Sequence, residues 1–497
     1  MAERTLLVLA RPSARIAVAA FAALIGGLAL ALAFPPYACW WLIAVGFVPV
    51  AVAEARLLPP KLSGVGAAIA TFTFFVVYAH DLNDTPHTPL RVRALPLSAA
   101  LVALALTRWT RTIRRRLGPI LASAFVVSTW VGIEVLRSFD PVGATWGFIA
   151  YALWAQPWLI QPVSVLGTYG LAFVVLLVNA TIALVAIAWL DRGVPALCVE
   201  RESAAVELRA LATVVVATTL IVALWIGCSL AMLRSPTATL RVAALQPGLT
   251  RPLTRDEPEA QRAQLLERLV AQSRQAAASG AKVIVWPEAA LAFDPRARDA
   301  GLAKLAQETG AYLFVGYAID TDAGLRNEVV AIAPDGTILG VHRKRHPVVG
   351  YGETSVGSLA SSAPYATPLG VLGAIICFDL DFTDTVRDAA ARGARVIAVP
   401  SWDWAGAAHK HYTHLVFRAV EARAVMIKSE QAFDSAIVDP WGRIVARTVS
   451  TEPRATVLVA DVPVVDDAPL GVAIGDGFGW LCAATAVGLA ALAARRA

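Results

Sequence analysis

Long apolar stretches separated by short polar segments dominate the first half of the chain. A helix needs about 20 residues to cross a hydrocarbon core of about 30 Å. Eight stretches approach that length, the fourth being the weakest, and they fall at 15–34, 39–55, 62–79, 95–109, 119–136, 163–189, 210–233 and 469–494. The pattern predicts a polytopic helical membrane domain of about eight transmembrane helices, the last of them at the C-terminal end.

The pattern changes between the seventh and eighth stretches. Apolar, β-branched runs such as LRVAALQPG, AKVIVWPEA and AYLFVGYAI alternate there with amphipathic runs at 256–279 and 297–309. This alternation is typical of a layered α/β domain. We therefore divide the chain into a transmembrane domain at 1–233, an α/β domain at 234–468 and a C-terminal transmembrane helix at 469–497.

Turn residues and helical periodicity extend this prediction through the second half of the α/β domain. Asp335-Gly336 and Pro440-Trp441-Gly442 lie between strand-like runs and predict two hairpins, because Asp-Gly readily supplies the positive φ of a tight turn. VLGAIICF and RVIAVPS read as buried strands. Helices are predicted at 383–392 and 410–427.

Basic residues in the short loops predict the orientation, because Lys and Arg are retained on the cytoplasmic side of a membrane. Counted through eight spans, the basic loops share one face, and their residues are Arg4, Arg11, Arg15, Arg56, Lys61, Arg108, Arg111, Arg114, Arg115, Arg116, the basic residues of 191–209, Arg495 and Arg496. The loops near 80–94 and 137–162, and the segment 234–468, then lie outside the cytoplasm. The first span resembles a signal peptide, but seven further spans favour an uncleaved anchor.

Composition supports a membrane protein and argues against nucleic-acid binding. The chain has 497 residues, of which 57% are hydrophobic and 16% charged, and its mean hydropathy is +0.61. These values are too apolar for an all-soluble protein. The net charge of +6 comes largely from the arginines of the basic loops, so it does not indicate a nucleic-acid partner.

Three potentially reactive residues follow apolar strands in the α/β domain: Glu288 in VIVWPEAAL, Lys344 in GVHRKRH and Cys377 in IICFDLDF. We expect them to meet at one edge of a sheet, where open α/β sheets place ligands. A thiol needs a base or a nearby cation to become a nucleophilic thiolate. Taken singly, Cys377 fits a small core residue better than a nucleophile, and composition alone leaves both interpretations open.

The order of motifs resembles the nitrilase (carbon-nitrogen hydrolase) superfamily: Glu in WPE, Lys in a hairpin, Cys in ICFD, then a Pro-Ser-Trp segment and a helix with RAVEAR. TWVGIEVLRS, residues 143–180 and LQPG resemble its membrane branch, the apolipoprotein N-acyltransferases. The resemblance implies an αββα sandwich carrying a Glu-Lys-Cys triad. It also implies a bacterial inner-membrane location, with this domain on the periplasmic side.

The resemblance implies a role for each motif residue. Glu288 is expected to be the general base, Lys344 the electrostatic stabiliser and Cys377 the nucleophile that forms a thioester. Glu353 is expected to support the base and the lysine. Phe378 and Asp379 occupy the positions after the nucleophile.

The implied reaction takes an acyl chain from a membrane phospholipid to the α-amine of a lipoprotein's diacylglyceryl-cysteine. No cofactor is implied, and we expect a monomer. Residues 429–433, SEQAF, depart from the branch's Thr-Asn-(Thr/Ser)-Gly pattern, which leaves the acceptor open. The alternatives are a membrane-tethered amidase, an acyltransferase with another amine acceptor, and a catalytically silent membrane scaffold.

Histidines and tryptophans outside these motifs allow two interpretations each. His409, His411 and His414 in HKHYTH could offer imidazoles to zinc, although a polar helix start with no metal is the preferred interpretation. The tryptophans of the 137–162 loop could be aromatic-belt residues or could line a lipid entrance; they are Trp146, Trp154 and Trp158.

Overall fold

A computed structural model describes residues 11–83, 90–194, 196, 198–199, 208–234, 239–298, 300–322, 324–349, 353, 364–466 and 468–496. Arg4 and parts of the predicted loops 80–94 and 191–209 lie outside the described residues. The α-helices are α1 (Pro12–Leu32), α2 (Val48–Val52), α3 (Val65–Tyr78), α4 (Leu90–Arg93), α5 (Leu95–Leu117), α6 (Pro119–Arg137), α7 (Pro157–Ile160), α8 (Val163–Gly193), α9 (Leu208–Met232), α10 (Glu259–Ala278), α11 (Leu302–Thr309), α12 (Thr383–Ala391), α13 (Ala405–Ala422), α14 (Leu470–Ile474) and α15 (Gly477–Arg495).

Among the described residues, seven helical segments are long and apolar enough to cross a membrane: Pro12–Leu32, Trp40–Leu57, Pro60–Tyr78, Pro119–Arg137, Val163–Gly193, Leu208–Met232 and Gly477–Arg495. They match seven of the eight predicted spans. The fourth predicted span lies in α5, whose C-terminal half carries arginines 108, 111, 114, 115 and 116. Those charges make α5 less apolar than the other seven segments.

Four of the predicted basic helix ends contact one another in pairs. Arg56 pairs with Asp191 at 2.6 Å, which joins the end of the second span to the end of α8. Arg116 Nη1, near the end of α5, donates to the carbonyl of Ala493 in α15 at 2.9 Å. The second span and α8 therefore end side by side, and so do α5 and α15.

The strands form two six-stranded sheets. The strands are β1 (Thr239–Gln246), β2 (Val283–Val285), β3 (Tyr312–Thr321), β4 (Gly324–Ile332), β5 (Ile338–Arg343), β6 (Tyr365–Thr367), β7 (Gly370–Ala374), β8 (Val396–Ser401), β9 (Val425–Glu430), β10 (Ala436–Val438), β11 (Ile444–Arg447) and β12 (Thr456–Pro463). The first sheet has the order β12-β1-β2-β3-β4-β5 and the second β11-β10-β9-β8-β7-β6. Each sheet has three parallel strands at its centre and antiparallel neighbours on both sides.

Alternation along β1 shows how the layers form. Val242 and Ala244 point into a cluster shared with strands of the second sheet, whereas Ala243 and Leu245 pack with residues of α10 and α11. Successive side chains of a strand face opposite sides, so a strand covered on both faces is apolar throughout. The result is the predicted sandwich, with helices outside two facing sheets.

The second sheet and its helices rest on the membrane helices. Their apolar residues share one cluster with residues of α1, α6 and α8. Buried polar contacts fix the junction: Arg418 Nη2 donates to Tyr151 Oη at 2.6 Å, and Arg423 Nη1 donates to Gln161 Oε1 at 2.6 Å. The α/β domain is therefore held directly against the bundle.

Both predicted hairpins are confirmed, and one predicted helix is displaced. Gly336 and Gly442 adopt positive φ angles of 88° and 79° between β4 and β5 and between β10 and β11. The helix predicted at 410–427 instead begins at Ala405 and ends at Ala422. Arg423 has a left-handed φ of 49° that stops it, and the apolar residues from Val425 onward form β9 between β8 and β10.

Candidate active site

Lys344 stands between two carboxylates at one edge of the first sheet. Its Nζ donates to Glu288 Oε1 at 2.9 Å and to Glu353 Oε2 at 2.9 Å. Asn327 Nδ2 donates to Glu288 Oε1 at 2.6 Å and to Glu353 Oε1 at 3.3 Å. Glu288 and Lys344 follow β2 and β5, which run in the same direction, so their ends reach the same edge.

Burial and neighbouring charges both shift the pKa values of Glu288 and Lys344. Lys344 and Glu288 are 2% and 3% exposed. Burial raises the pKa of Glu288, and the Lys344 charge opposes that shift. Burial lowers the pKa of Lys344, but the carboxylates of Glu288 and Glu353 outweigh it and raise that pKa well above its ordinary value. Lys344 is therefore a fixed cation beside a carboxylate that can take up a proton.

Cys377 reaches this group from the other sheet. It follows β7 and begins a short helical turn, Cys377–Asp381; the expectation that all three residues share one sheet edge is therefore wrong. The facing of the two sheets brings the thiol near the carboxylate–lysine group, since Glu288 and Lys344 both act electrostatically on it. Its φ of 44° is strained for a non-glycine residue, which costs of order 1–3 kcal/mol and is typical of active sites.

The thiol of Cys377 is protonated in this arrangement. Burial, Glu288 and Asp403 raise its pKa well above its ordinary value, and Lys344 only partly offsets them. Its Sγ lies 3.7 Å from the Trp402 carbonyl and 3.7 Å from Asp403 Oδ1. A proton must therefore leave the sulfur before it can act as a nucleophile.

Asp379 links the cysteine turn to the segment that follows Lys344. Its Oδ1 accepts from the backbone N–H groups of Arg345 at 3.0 Å and His346 at 2.8 Å. Its Oδ2 accepts from the N–H of Ile376 at 3.0 Å. Asp379 thus holds the lysine and cysteine segments together from a fully buried position.

Phe378 and Glu353 complete the set of residues singled out in the sequence. Phe378 packs edge-on against Phe382, with ring centroids 5.2 Å apart, and shares a cluster with Ala144 of the membrane domain. Glu353 also accepts from the N–H of Val348 at 2.7 Å. The side chain after the nucleophile therefore faces the membrane part of the chain.

Sequence reasoning missed a buried ionic network on the second sheet. Asp403 Oδ2 accepts from Lys428 Nζ at 2.9 Å and lies 2.8 Å from His411 Nδ1. Lys428 also donates to Glu430 Oε1 at 2.9 Å. Lys428 and Glu430 are spaced i, i+2 at the end of the strand VMIKSE, and this spacing was the available signal, because such residues face the same side of a sheet.

The segment SEQAF, which departs from the family pattern, lies in the site. Gln431 Nε2 donates to the carbonyl of Glu288 at 2.7 Å. The carbonyl of Gln431 accepts from the N–H groups of Gly248 and Leu249 at 2.8 and 3.0 Å. These contacts connect the segment 429–433 to Glu288, the expected base, and to the loop that contains LQPG.

The three histidines of HKHYTH have different partners. His409 Nδ1 lies 3.0 Å from Asp434, His411 lies between Asp403 and Asp381, and His414 contacts Asp381. Two trios, Cys377–Asp403–His411 and Asp381–His411–His414, hold their donor atoms within 4.8 Å, close enough to share a metal ion. Their carboxylates already accept from other groups of the protein, so we interpret both trios as parts of the ionic network.

The tryptophans of the 137–162 loop take two positions. Trp146 Nε1 donates to Asp381 Oδ2 at 2.9 Å. Trp154 packs edge-on against Tyr412, with ring centroids 4.9 Å apart. Both therefore contact α13 or the cysteine turn. Trp158 is 38% exposed, as an aromatic-belt residue would be.

Replacing Glu430 with Gln is expected to flatten the pH dependence of stability. Burial, opposed by Lys428, raises the pKa of Glu430 from 4.5 to about 8. The folded state then binds this proton more tightly than the unfolded state, so the contribution of Glu430 to stability falls as pH rises from 4.5 to about 8. Thermal melts of detergent-solubilised protein at pH 5 to 8 should show a smaller decrease in Tm for Glu430→Gln than for wild type. The exposed Glu452, changed in the same way, should leave the slope unchanged; equal slopes in all three proteins would contradict the prediction.

The membrane part and the α/β part of the chain each match a known protein family. Residues 241–467 match the carbon-nitrogen hydrolase family, and residues 26–181 match the apolipoprotein N-acyltransferase N-terminal domain. The apolipoprotein N-acyltransferase of Geobacter metallireducens is 27% identical over 95% of this chain and 95% of its own length. That of Gloeobacter violaceus is 26% identical over 85% of this chain and 84% of its own.

A solved structure of an amidase from Nesterenkonia sp. is 20% identical and covers 46% of this chain and 93% of its own, with a TM-score of 0.38. The family assignment depends on the sequence matches, which extend from the membrane helices through the α/β domain. The alignment with the Geobacter metallireducens protein covers 95% of this chain and so includes both parts. The chain therefore belongs to the apolipoprotein N-acyltransferase family of the nitrilase superfamily.

Proposed function

We propose that this protein transfers an acyl chain from a membrane phospholipid to the α-amine of the diacylglyceryl-cysteine of apolipoproteins. The observation that carries the proposal is a buried thiol, Cys377, beside the Glu288–Lys344–Glu353 group in a domain that rests on membrane helices. Its curated relatives are named apolipoprotein N-acyltransferases.

In the first half-reaction, Glu288 takes the proton from the Cys377 thiol and the sulfur attacks the ester carbonyl carbon of the phospholipid. The C–S bond forms, and the bond from that carbon to the glycerol oxygen breaks. Glu288 then returns the proton to the glycerol oxygen, which releases a lysophospholipid. Lys344 stabilises the oxyanion of the tetrahedral intermediate, because a fixed cation in a dry site interacts strongly with developing negative charge.

In the second half-reaction, the α-amine of the acceptor attacks the thioester carbon. The C–N bond forms, the C–S bond breaks, and a proton passes from the amine through Glu288 to the Cys377 sulfur. Acyl transfer rather than hydrolysis requires that water be kept from the thioester. Burial of Cys377, which is 4% exposed, supports that requirement.

Contact with the bilayer suits both reactants, because each carries acyl chains that are costly to expose to water. We place the site in the periplasmic half of a multi-pass protein of the bacterial inner membrane, with domains at 1–233, 234–468 and 469–497. Phe378, Phe382 and Ala144 form an apolar cluster between the cysteine turn and the membrane domain. We assign this cluster to the route by which acyl chains reach Cys377, and we take a monomer as the working unit.

Intact-mass spectrometry of the purified full-length protein tests the proposal. After incubation with a phospholipid of defined chains, we expect a mass increase of one acyl group on wild type and none on Cys377→Ala. Adding a diacylated lipopeptide should remove the adduct and yield an N-acylated peptide.

Each competing function predicts a different outcome of that experiment. Loss of the adduct to water, or cleavage of amides without acyl transfer, would support an amidase. Transfer to other amines but not to the lipopeptide would indicate a different acceptor. Absence of an adduct with every phospholipid tested would overturn the thioester mechanism and favour a silent scaffold.

A further inference from the structure

A second carboxylate, besides Glu288, lies beside the nucleophile. Asp403 Oδ1 is 3.7 Å from Cys377 Sγ, while its Oδ2 lies 2.8 Å from His411 Nδ1 and 2.9 Å from Lys428 Nζ. Asp403 is 5% exposed, and both of its cationic partners are more deeply buried. One oxygen therefore faces the sulfur and the other is held by two groups from α13 and β9.

His411 connects this carboxylate to the membrane domain. Its other ring nitrogen, Nε2, lies 3.2 Å from Asp381 Oδ1. Asp381 also contacts His414, and two of its contacts reach the membrane loop: Trp146 Nε1 donates to Oδ2 at 2.9 Å, and Thr145 Oγ1 donates to the carbonyl at 2.8 Å. A continuous buried path thus runs from the loop at 145–146 to the thiol.

The pKa shifts of Asp403, His411 and Glu430 indicate the charge that each carries at neutral pH. His411 and Lys428 lower the pKa of Asp403 despite its burial, so it is ionised. Asp403 and Asp381 raise the pKa of His411 to about 10 against the effect of burial, so it is an imidazolium. Glu430, whose pKa is about 8, is mostly protonated and adds little charge.

We propose that Asp403 and His411 are positioning residues for the nucleophile: Asp403 accepts the thiol hydrogen of Cys377 and disfavours its ionisation, while the His411 cation limits that effect. The proposal rests on the proposed role of Cys377 as nucleophile. A carboxylate near a sulfur opposes thiolate formation, and a cation near it favours thiolate formation. The charged groups facing the thiol are Glu288, Lys344, Asp403 and His411.

Keeping the thiol protonated serves an enzyme that works outside the cytoplasm. Thiolates, rather than thiols, react with oxidants and stray electrophiles. In the described part of the chain, no other cysteine lies in the α/β domain, so an oxidised Cys377 has no neighbouring thiol there to rescue it as a disulfide. Asp403 restricts proton loss to the moment when Glu288 accepts the proton with the substrate in place.

The pH profile of Cys377 alkylation tests the proposal. Full-length protein in detergent is treated with iodoacetamide from pH 6 to 10, and modification of the Cys377 peptide is followed by mass spectrometry. Asp403→Asn should move the midpoint to lower pH by about one unit, with a rate at pH 7 about tenfold higher. His411→Gln should move the midpoint to higher pH and slow the reaction.

His409→Gln is the matched control, because His409 lies on the same helix and its Nδ1 contacts Asp434 at 3.0 Å, outside the path. It should leave the profile unchanged. A general loosening of the site would make Cys377 more reactive in both Asp403→Asn and His411→Gln, so shifts in the same direction, or no shift, would overturn the proposal.

If Asp403→Asn does not fold, His411→Gln decides alone, and a midpoint that stays or falls overturns the proposal. Alkylation requires neither phospholipid nor acceptor. Failure of wild type to form an acyl adduct would therefore count against the proposed function, whereas the alkylation profiles count only for or against the roles of Asp403 and His411.

Discussion

Replacing Cys377 with Ser is expected to abolish the acyl adduct and the transfer activity while leaving the fold intact. Serine is nearly isosteric, so the buried turn Cys377–Asp381 keeps its contacts. A serine hydroxyl at its ordinary pKa is a much weaker nucleophile than a cysteine sulfur, and Glu288 and Lys344 are arranged around a thiol. Intact mass after incubation with phospholipid should show no adduct, and the Tm in detergent should stay within a few degrees of wild type.

Cys482→Ser provides the matched control. Cys482 lies in α15 and is 4% exposed, the same fraction as Cys377. Its replacement should leave adduct formation at the wild-type rate. Turnover in Cys377→Ser, or loss of the adduct in Cys482→Ser, would defeat the assignment of the nucleophile.

Glu288→Gln is expected to slow acyl-adduct formation by a factor of about 100 or more, the usual loss when a general base is removed. The amide can still accept from Lys344 Nζ and Asn327 Nδ2, which now hold Oε1 at 2.9 and 2.6 Å, but it cannot take the thiol proton. Single-turnover acylation, followed by quenching and intact mass, measures this step directly. The substitution keeps Lys344 paired with Glu353, so folding should survive.

Glu328→Gln controls for removing a buried carboxylate. Glu328 is 1% exposed and accepts from Arg326 Nη2 at 2.8 Å and Arg343 Nε at 2.9 Å. It lies next to Asn327, away from the sulfur, and its replacement should lower Tm more than it lowers the acylation rate. Equal losses of rate in Glu288→Gln and Glu328→Gln would assign the effect to structure rather than to proton transfer.

The membrane part of the fold was largely predictable because each span is a local property of the sequence. A helix in lipid satisfies its own backbone hydrogen bonds, so length and apolar composition suffice to identify it. The segment at 95–109 was harder to place because α5 continues to Leu117 and carries five arginines near its end. The alternation of strands and helices in the α/β domain was also readable, as were the turns at Gly336 and Gly442.

The boundary between α13 and β9 was not predictable from periodicity. Residues 410–427 are apolar enough to read as one helix, yet Arg423 takes a left-handed conformation and places its guanidinium on Gln161 of the membrane domain at 2.6 Å. A contact made by a distant part of the chain helps to hold that break. Local propensity carries no information about such a partner.

The sequence by itself determined which residues could perform the chemistry, because Glu288, Lys344 and Cys377 each end or follow an apolar strand in a recognisable order of motifs. The tertiary structure decided how they meet: two carboxylates flank Lys344 on the first sheet, and Cys377 arrives from the second. It also decided that Asp403 and His411 stand beside the sulfur. The physical reason is that strand and helix patterns depend on neighbours a few residues apart, whereas the facing of two sheets brings together side chains from segments far apart in the chain.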